Sequence, residues 1–245
     1  MSGHNKWSTI KRKKGAIDAK RSKIFSKIIK EINIAVKEGG PDPNGNARLR
    51  LALNNARGAN MPKDNIQRAL SKAKDSSALT EVTYEGYAPN GIAVIIEALT
   101  DNPQRTVSNV RSLFSKRGGS LGTNGSVTFM FERKGIITVP KGNINPEEFE
   151  LEIIDAGVED LELQDDMFII TTAMEDFGAV QKKLDQMGIE PENASLQRIP
   201  SETKKLSVDA SLRVLRMIDE FEEDDDVQDV YHNLEITEEV MNAMD

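Results

Sequence analysis

Over residues 17–38 the apolar side chains Phe25, Ile28, Ile29, Ile32 and Val36 recur at i, i+3, i+4, i+7 and i+11. That spacing draws one stripe along a helix, and Gly39-Gly40 ends it. Leu49, Ala52, Leu53 and Ala56 repeat the spacing before Gly58, and Ile66, Ala69, Leu70 and Ala73 repeat it after Pro62, a residue suited to a first helical turn. Each helix has one apolar face and is too short to persist alone, so the three are expected to pack together as a helical domain over residues 1–79.

At Thr80 the period changes. TEVTYEGY and GIAVIIEAL flank the turn signal Pro89-Asn90-Gly91 and predict a hairpin. A helix follows with Val107, Val110 and Phe114 on one face and Gly118-Gly119 at its end, and then VTFMF predicts a strand. Beyond Arg133 the order is strand (GIITV), helix (146–156), strand (VEDLEL), strand (MFIITT), helix (175–187) and strand (ASLQRI), a complete ferredoxin-like split βαβ unit. A helix over 208–221 and a strand over 226–231 are too little to stand alone and are expected to return to the first sheet. The predicted fold class is therefore α+β: an N-terminal three-helix domain followed by two α/β ferredoxin-like domains, one inserted into the other. The boundaries are 1–79, 80–132 plus 200–245, and 133–199.

Composition narrows the chemistry. With no cysteine in 245 residues, disulfides, thiolate nucleophiles and cysteine-ligated metals are excluded, and only His4 and His232 supply imidazoles. No G-x-S-x-G elbow, nucleophile–base pair or dinucleotide fingerprint occurs, so no catalytic residue, cofactor or metal site is expected. The longest apolar run, over 91–99, contains Glu97 and falls short of the roughly 18 residues that span a bilayer. The basic start has no apolar run behind it and does not resemble a secretory signal, so a cytoplasmic protein without membrane contact is expected.

The net charge of −8 conceals a split. Residues 1–74 carry 18 Lys and Arg against 5 Asp and Glu, residues 75–139 carry 6 of each, and residues 140–245 carry 8 against 29. Ten of the first thirty residues are Lys or Arg, opposed only by Asp18. A cationic segment confined to one domain is the electrostatic footprint of a polyanion partner; the alternative is a solvated helical face. The candidate nucleic-acid-binding residues are Lys6, Trp7, Lys11, Arg12, Lys13, Lys14, Lys20, Arg21, Lys23, Lys27 and Lys30. Lysine and arginine neutralise phosphates, and the Trp7 indole either stacks on a base or anchors the arm to the helices. No helix-turn-helix, RRM, KH or zinc-finger pattern marks a base-reading element, which favours backbone binding.

Two further motifs have plainer readings beside the functional ones. GGSLGTNG, over 118–125, follows a helix, precedes a strand and lacks the terminal Gly-Lys-Ser/Thr of a phosphate loop. It reads as a helix cap with a mobile loop, or as a nucleic-acid contact. The acid run 222–226 reads as a solvated loop, or as oxygen ligands for a divalent cation, although it lacks calcium-loop spacing.

HNKWSTIKRKK with DAKRSKIFSK, YEGYAPNGIAVIIEALTDNPQRT, NGSVTFMFERKGII and DDVQDVYHN, in that order, resemble the YebC/PmpR family over essentially the whole chain. Ser22, Ala88 and Asn90 stand where relatives often carry glycine. The resemblance implies three domains and a cytoplasmic, non-enzymatic regulator of gene expression. It implies one of two roles: DNA-binding transcriptional regulation, or a translation factor acting on ribosomal RNA at sequences that stall the ribosome. A carboxylate-dependent enzyme and a pure protein scaffold are the readings from other classes.

Overall fold

The computed structural model describes residues 21–75 and 78–244. The chain forms two compact units: one combines Arg21–Ser76 with Arg133–Arg198, the other Ser77–Glu132 with Ile199–Asp245. The three amphipathic stripes are the helices α1 (Arg21–Gly39), α2 (Ala47–Gly58) and α3 (Lys63–Lys72). They bury Ile32, Ala35, Val36, Leu49, Ala52, Leu53, Ala69 and Ala73 against one another, the residues that carry the 3.6-residue period. Asn46 fastens the first joint. Its Oδ1 accepts the Leu49 N–H at 2.9 Å as the cap of α2, while its Nδ2 donates to the Ala35 and Gly40 carbonyls at 2.6 and 2.9 Å.

In the same unit, strands β4 (Phe131–Pro140), β5 (Val158–Gln164), β6 (Met167–Ala173) and β7 (Asn193–Pro200) form a sheet in the order β5-β6-β4-β7. Helix α5 (Pro146–Ile153) joins β4 to β5 across β6, and α6 (Phe177–Gln186) joins β6 to β7 across β4, which is the ferredoxin-like arrangement. Ile137, Val139, Phe168 and Ile170 face Phe149, Ile153, Val180 and Leu184 of the two helices. The rings of Phe149 and Phe168 meet at 4.7 Å. Leu51 of α2 packs on this core, and α2 runs so close to the β7 end of the sheet that a Cβ on Gly58 would collide with the Glu192 backbone.

The other unit is built on the hairpin β1 (Thr80–Ala88) and β2 (Ile92–Thr100), paired in register from Thr80↔Thr100 to Ala88↔Ile92. Asn90 and Gly91 turn it with φ of 63° and 70°, the left-handed region that Asn tolerates better than most residues. Helix α4 (Pro103–Lys116) leads to a two-residue strand β3 (Ser120–Leu121) beside β1. After α7 (Val208–Glu222), strand β8 (Val227–His232) pairs antiparallel with β2, and a short α8 (Glu238–Asn242) follows. The order β3-β1-β2-β8 places a strand, helix and strand across an intervening strand as in the other sheet, by a different chain path. Strand β2 is buried on both faces. Ile92, Val94 and Ile96 meet α4 and α7, where the rings of Phe114 and Phe221 stand 4.8 Å apart, while Ala93 and Ile95 meet Val127, Phe131 and Tyr231.

One predicted element differs. VTFMF was expected to be a strand, but Thr128–Met130 is a 3-10 turn, and the regular strand starts at Phe131 and runs without a break through GIITV. The buried Glu85 carboxylate accepts the N–H groups of Gly125, Val127 and Thr128 at 2.7, 2.8 and 2.9 Å. Those donors are thereby taken from any sheet ladder.

Candidate nucleic-acid interface

Of the eleven candidate residues, Lys6, Trp7, Lys11, Arg12, Lys13, Lys14 and Lys20 lie outside the described residues. The other four are on α1. Lys23, Lys27 and Lys30 follow one another at i, i+4 and i+7, opposite the Ile28, Ile29, Ile32 and Val36 face, and all three are half-buried. The helix thus brings these three together as a single stripe. Arg21 is exposed at its start. It donates from Nη2 to the Asn60 carbonyl at 3.1 Å, and its guanidinium lies 5.5 Å from the centre of the Phe25 ring.

Helices α2 and α3 add cations beyond those that the N-terminal charge run marks. Arg50 and Arg57 are exposed on α2 at i and i+7, and Arg57 donates to Asn54 Oδ1 at 3.1 Å. Lys63, Arg68 and Lys72 are exposed on α3. The signal was present in the periodicity, because each falls off the apolar stripe of its own helix. Arg48 is differently placed: it pairs with Glu31 at 3.2 Å and Glu38 at 2.9 Å, linking α1 to α2. From residue 21 to 75 the helices carry 12 Lys and Arg against 5 Asp and Glu, so two carboxylates committed to Arg48 leave the surface strongly cationic.

The other motifs also have defined places. Gly118, with φ 76°, terminates α4, and Gly119 N–H donates to the Phe114 carbonyl at 2.8 Å. The loop beyond is tied down by Glu85. Burial works against ionisation of that carboxyl, but the three backbone N–H groups outweigh it and hold the pKa below the ordinary glutamate value. The acid run is not uniformly solvated. Asp226 is buried and accepts from Thr100 Oγ1 at 3.0 Å, Thr106 Oγ1 at 2.9 Å and Arg105 Nη2 at 2.6 Å. It acts as a joint between β2, α4 and β8. Burial, and then the charges of Asp226 and Asp224, raise the pKa of Tyr84. Among the described residues no cluster of His, Asp and Glu is arranged to hold a metal ion, and no described helix is long and apolar enough to cross a membrane.

Residues 5–76 match the family model described as the TACO1/YebC protein N-terminal domain, and residues 79–234 match the TACO1/YebC second and third domain. The chain belongs to the TACO1/YebC family. A TACO1/YebC relative from Rubrobacter xylanophilus is 49% identical over 98% of both chains, and one from Chlorobaculum parvum is 49% identical over 100% of this chain and 99% of its own. Both are named probable transcriptional regulatory proteins. The fold is similar to the crystal structure of a conserved hypothetical protein from Aquifex aeolicus, with a TM-score of 0.82 and 42% identity, covering 92% of this chain and 94% of that one. The α+β architecture, with helices preceding two antiparallel sheets, is that of the TACO1/YebC fold.

Proposed function

We propose that this protein is a non-catalytic, cytoplasmic regulator of gene expression of the YebC/PmpR type, which grips the phosphate backbone of a nucleic acid with its basic N-terminal third. The observation that carries this reading is the exposure of Arg50, Arg57, Lys63, Arg68 and Lys72 on two helices that follow the cationic stripe of α1. The names of the relatives support a role in transcription, with DNA as the partner. In the acidic remainder of the chain, like charge repels phosphate, which confines contact to the helical part.

A second reading, ribosomal RNA as the target and a translation factor as the role, draws support from the way the cations are spread. They occupy three helices instead of the exposed edge of one, which suits the backbone of a folded RNA better than the bases of a single DNA groove. Binding to promoter DNA and to ribosomal RNA fragments across a salt series tests both. If about six cations meet duplex phosphates, log K falls against log salt with a slope of roughly −5. A slope near zero, or unchanged affinity after charge reversal of Lys11, Arg12, Lys13 and Lys14, refutes the phosphate grip. Crosslinking in cells, followed by sequencing of the attached DNA and RNA, separates the two targets.

A further inference from the structure

Asparagine stands directly before glycine at three places, Asn44-Gly45, Asn90-Gly91 and Asn124-Gly125, and all three pairs are exposed. Such a step is chemically labile. The backbone nitrogen of the glycine attacks the asparagine Cγ, because no side chain on the glycine stands in the way. The new N–Cγ bond closes a cyclic imide, the bond from Cγ to the amide nitrogen breaks, and that nitrogen leaves as ammonia with the proton that the glycine nitrogen gives up. Water then opens the imide at either carbonyl, its hydroxyl staying on that carbon and its proton returning to the glycine nitrogen. Opening at Cγ leaves isoaspartate's isomer, ordinary aspartate, and opening at the main-chain carbon leaves isoaspartate, whose backbone runs through Cβ.

The fold treats the three steps differently. Gly125 N–H donates to Glu85 Oε1 at 2.7 Å, so the nitrogen that would attack is already engaged by a carboxylate. Asn90 has φ 63° and ψ 20°, which turns the Gly91 nitrogen away from the Asn90 Cβ. Ring closure needs the two nearly eclipsed. The pairing of Ala88 with Ile92, and the bond from Lys204 Nζ to the Asn90 carbonyl at 2.7 Å, resist that rotation. Asn44 lies instead in the loop between α1 and α2, where Asp42 Oδ1 accepts the Asn44 N–H at 2.9 Å. That bond fixes the peptide before Asn44 and not the one after it. Gly45 N–H makes no hydrogen bond among the described residues, and beyond its chain neighbours the nearest atom to a Cβ placed on Gly45 is the Asp42 carbonyl oxygen at 4.0 Å.

We propose that Asn44-Gly45 is a site of spontaneous modification, converting with age to aspartate and isoaspartate while the fold protects the other two steps, and that the products grip nucleic acid less tightly. The second half rests on the nucleic-acid reading above. Either product puts a carboxylate into the cationic helical domain, and isoaspartate also lengthens the backbone just before Asn46, the side chain that caps α2 and ties it to α1.

The full-length protein is held at physiological temperature and mildly alkaline pH, both folded and in urea, and the loss of each amide is followed by peptide mapping with mass spectrometry. In urea the three steps should convert at similar rates, since each is an Asn-Gly pair. In the folded protein Asn44 should lead the others by roughly tenfold or more, the factor set by breaking a hydrogen bond to a charged group before attack. Gly45→Ala should slow conversion at Asn44, and Glu85→Gln should speed it at Asn124. No conversion at Asn44, equal rates in the folded protein, or a lead of Asn44 that persists unchanged in urea overturns the proposed site. The converted protein, separated by anion exchange through its extra negative charge, is then titrated with a duplex beside the parent. It should bind about twofold or more weakly at low salt, with the gap closing as salt rises. Equal affinity overturns the weakened grip and leaves the modification standing. Failure of both forms to bind overturns that half together with the nucleic-acid reading, and again leaves the modification standing.

Discussion

Asn55 of α2 and Ala194 of β7 exchange two hydrogen bonds: Asn55 Nδ2 donates to the Ala194 carbonyl at 2.8 Å, and Ala194 N–H donates to Asn55 Oδ1 at 2.9 Å. An amide side chain matches the donor and acceptor of a peptide group, so Asn55 stands in for a neighbouring strand where β7 would otherwise be an open edge. Replacing Asn55 with Ala leaves both backbone groups of Ala194 without that partner. The expected loss is roughly 1–3 kcal/mol in urea-induced unfolding, with an unchanged denaturant slope. Gly58→Ala should cost more, because its Cβ meets the Glu192 backbone, which cannot swing aside as a side chain could. A Gly58→Ala protein as stable as the parent would contradict this packing of α2.

What could be read from the sequence, and what could not, divides along the range of the interactions. Stripes such as Ile28, Ile32 and Val36 announce their helix because the period is local, and the alternation in Thr80–Ala88 with the Asn90-Gly91 turn does the same for the hairpin. The VTFMF segment misleads for the opposite reason. Its β-forming residues are overruled by a carboxylate some forty residues earlier in the chain, and no local pattern marks Glu85 as the acceptor. Asp226 was similarly hidden within a run of five acids, since only the folded chain brings Thr100 and Thr106 to it. Of the candidate site, the α1 stripe was legible from charge and period. Arg50, Arg57 and Arg68 were legible only as positions off the apolar stripes of their helices, because they are spread singly and no charge run marks them.

Glu85 gives the loop over 118–128 a pH dependence whose sign is fixed by the direction of its shift. Its pKa is lower in the folded protein than in the unfolded chain, so its contribution to stability is complete above the unfolded value of about 4.3 and is lost as pH falls through the folded value. Acidification through and below that region should therefore release the amides of Gly125, Val127 and Thr128. Their hydrogen exchange, corrected for the intrinsic pH effect, should lose protection together. Glu85→Gln, which keeps the shape but removes the charge, should loosen these amides already at neutral pH, at a cost of about 1–3 kcal/mol. Protection unaltered by both acid and the glutamine variant would show that the carboxylate does not hold the loop.

The Asp226 joint should respond unequally to the removal of its partners. Asp226→Ala removes the buried acceptor shared by the Thr100 and Thr106 hydroxyls, which keep each other and the Asn102 backbone, and detaches β8 from the start of α4, a loss of roughly 2–4 kcal/mol for a buried, multiply bonded group. Arg105→Ala removes a partner that is half in water, so its effect should be clearly smaller. Thermal unfolding of the two variants checks the ranking. An equal loss would mean that the ion pair, and not the buried hydroxyls, dominates the joint.

The cations of α2 and α3 supply the most direct check on the phosphate grip, because they sit on described helices and their replacement should leave the fold intact. Arg50, Arg57 and Arg68 are exposed, and substitutions at such positions usually change stability by less than about 0.5 kcal/mol. Changing the three to Gln should weaken nucleic-acid binding. On a duplex, the slope of log K against log salt should become less negative by roughly 0.9 for each phosphate that is no longer neutralised. The effect should be uniform across sequences, since a cation paired with a phosphate carries no base information. Lys182→Gln, on the exposed side of α6, serves as the control and should leave affinity and slope unchanged. A reduced affinity with an unchanged slope would mean that the arginines act through something other than charge, and unchanged binding would place the grip elsewhere than on α2 and α3.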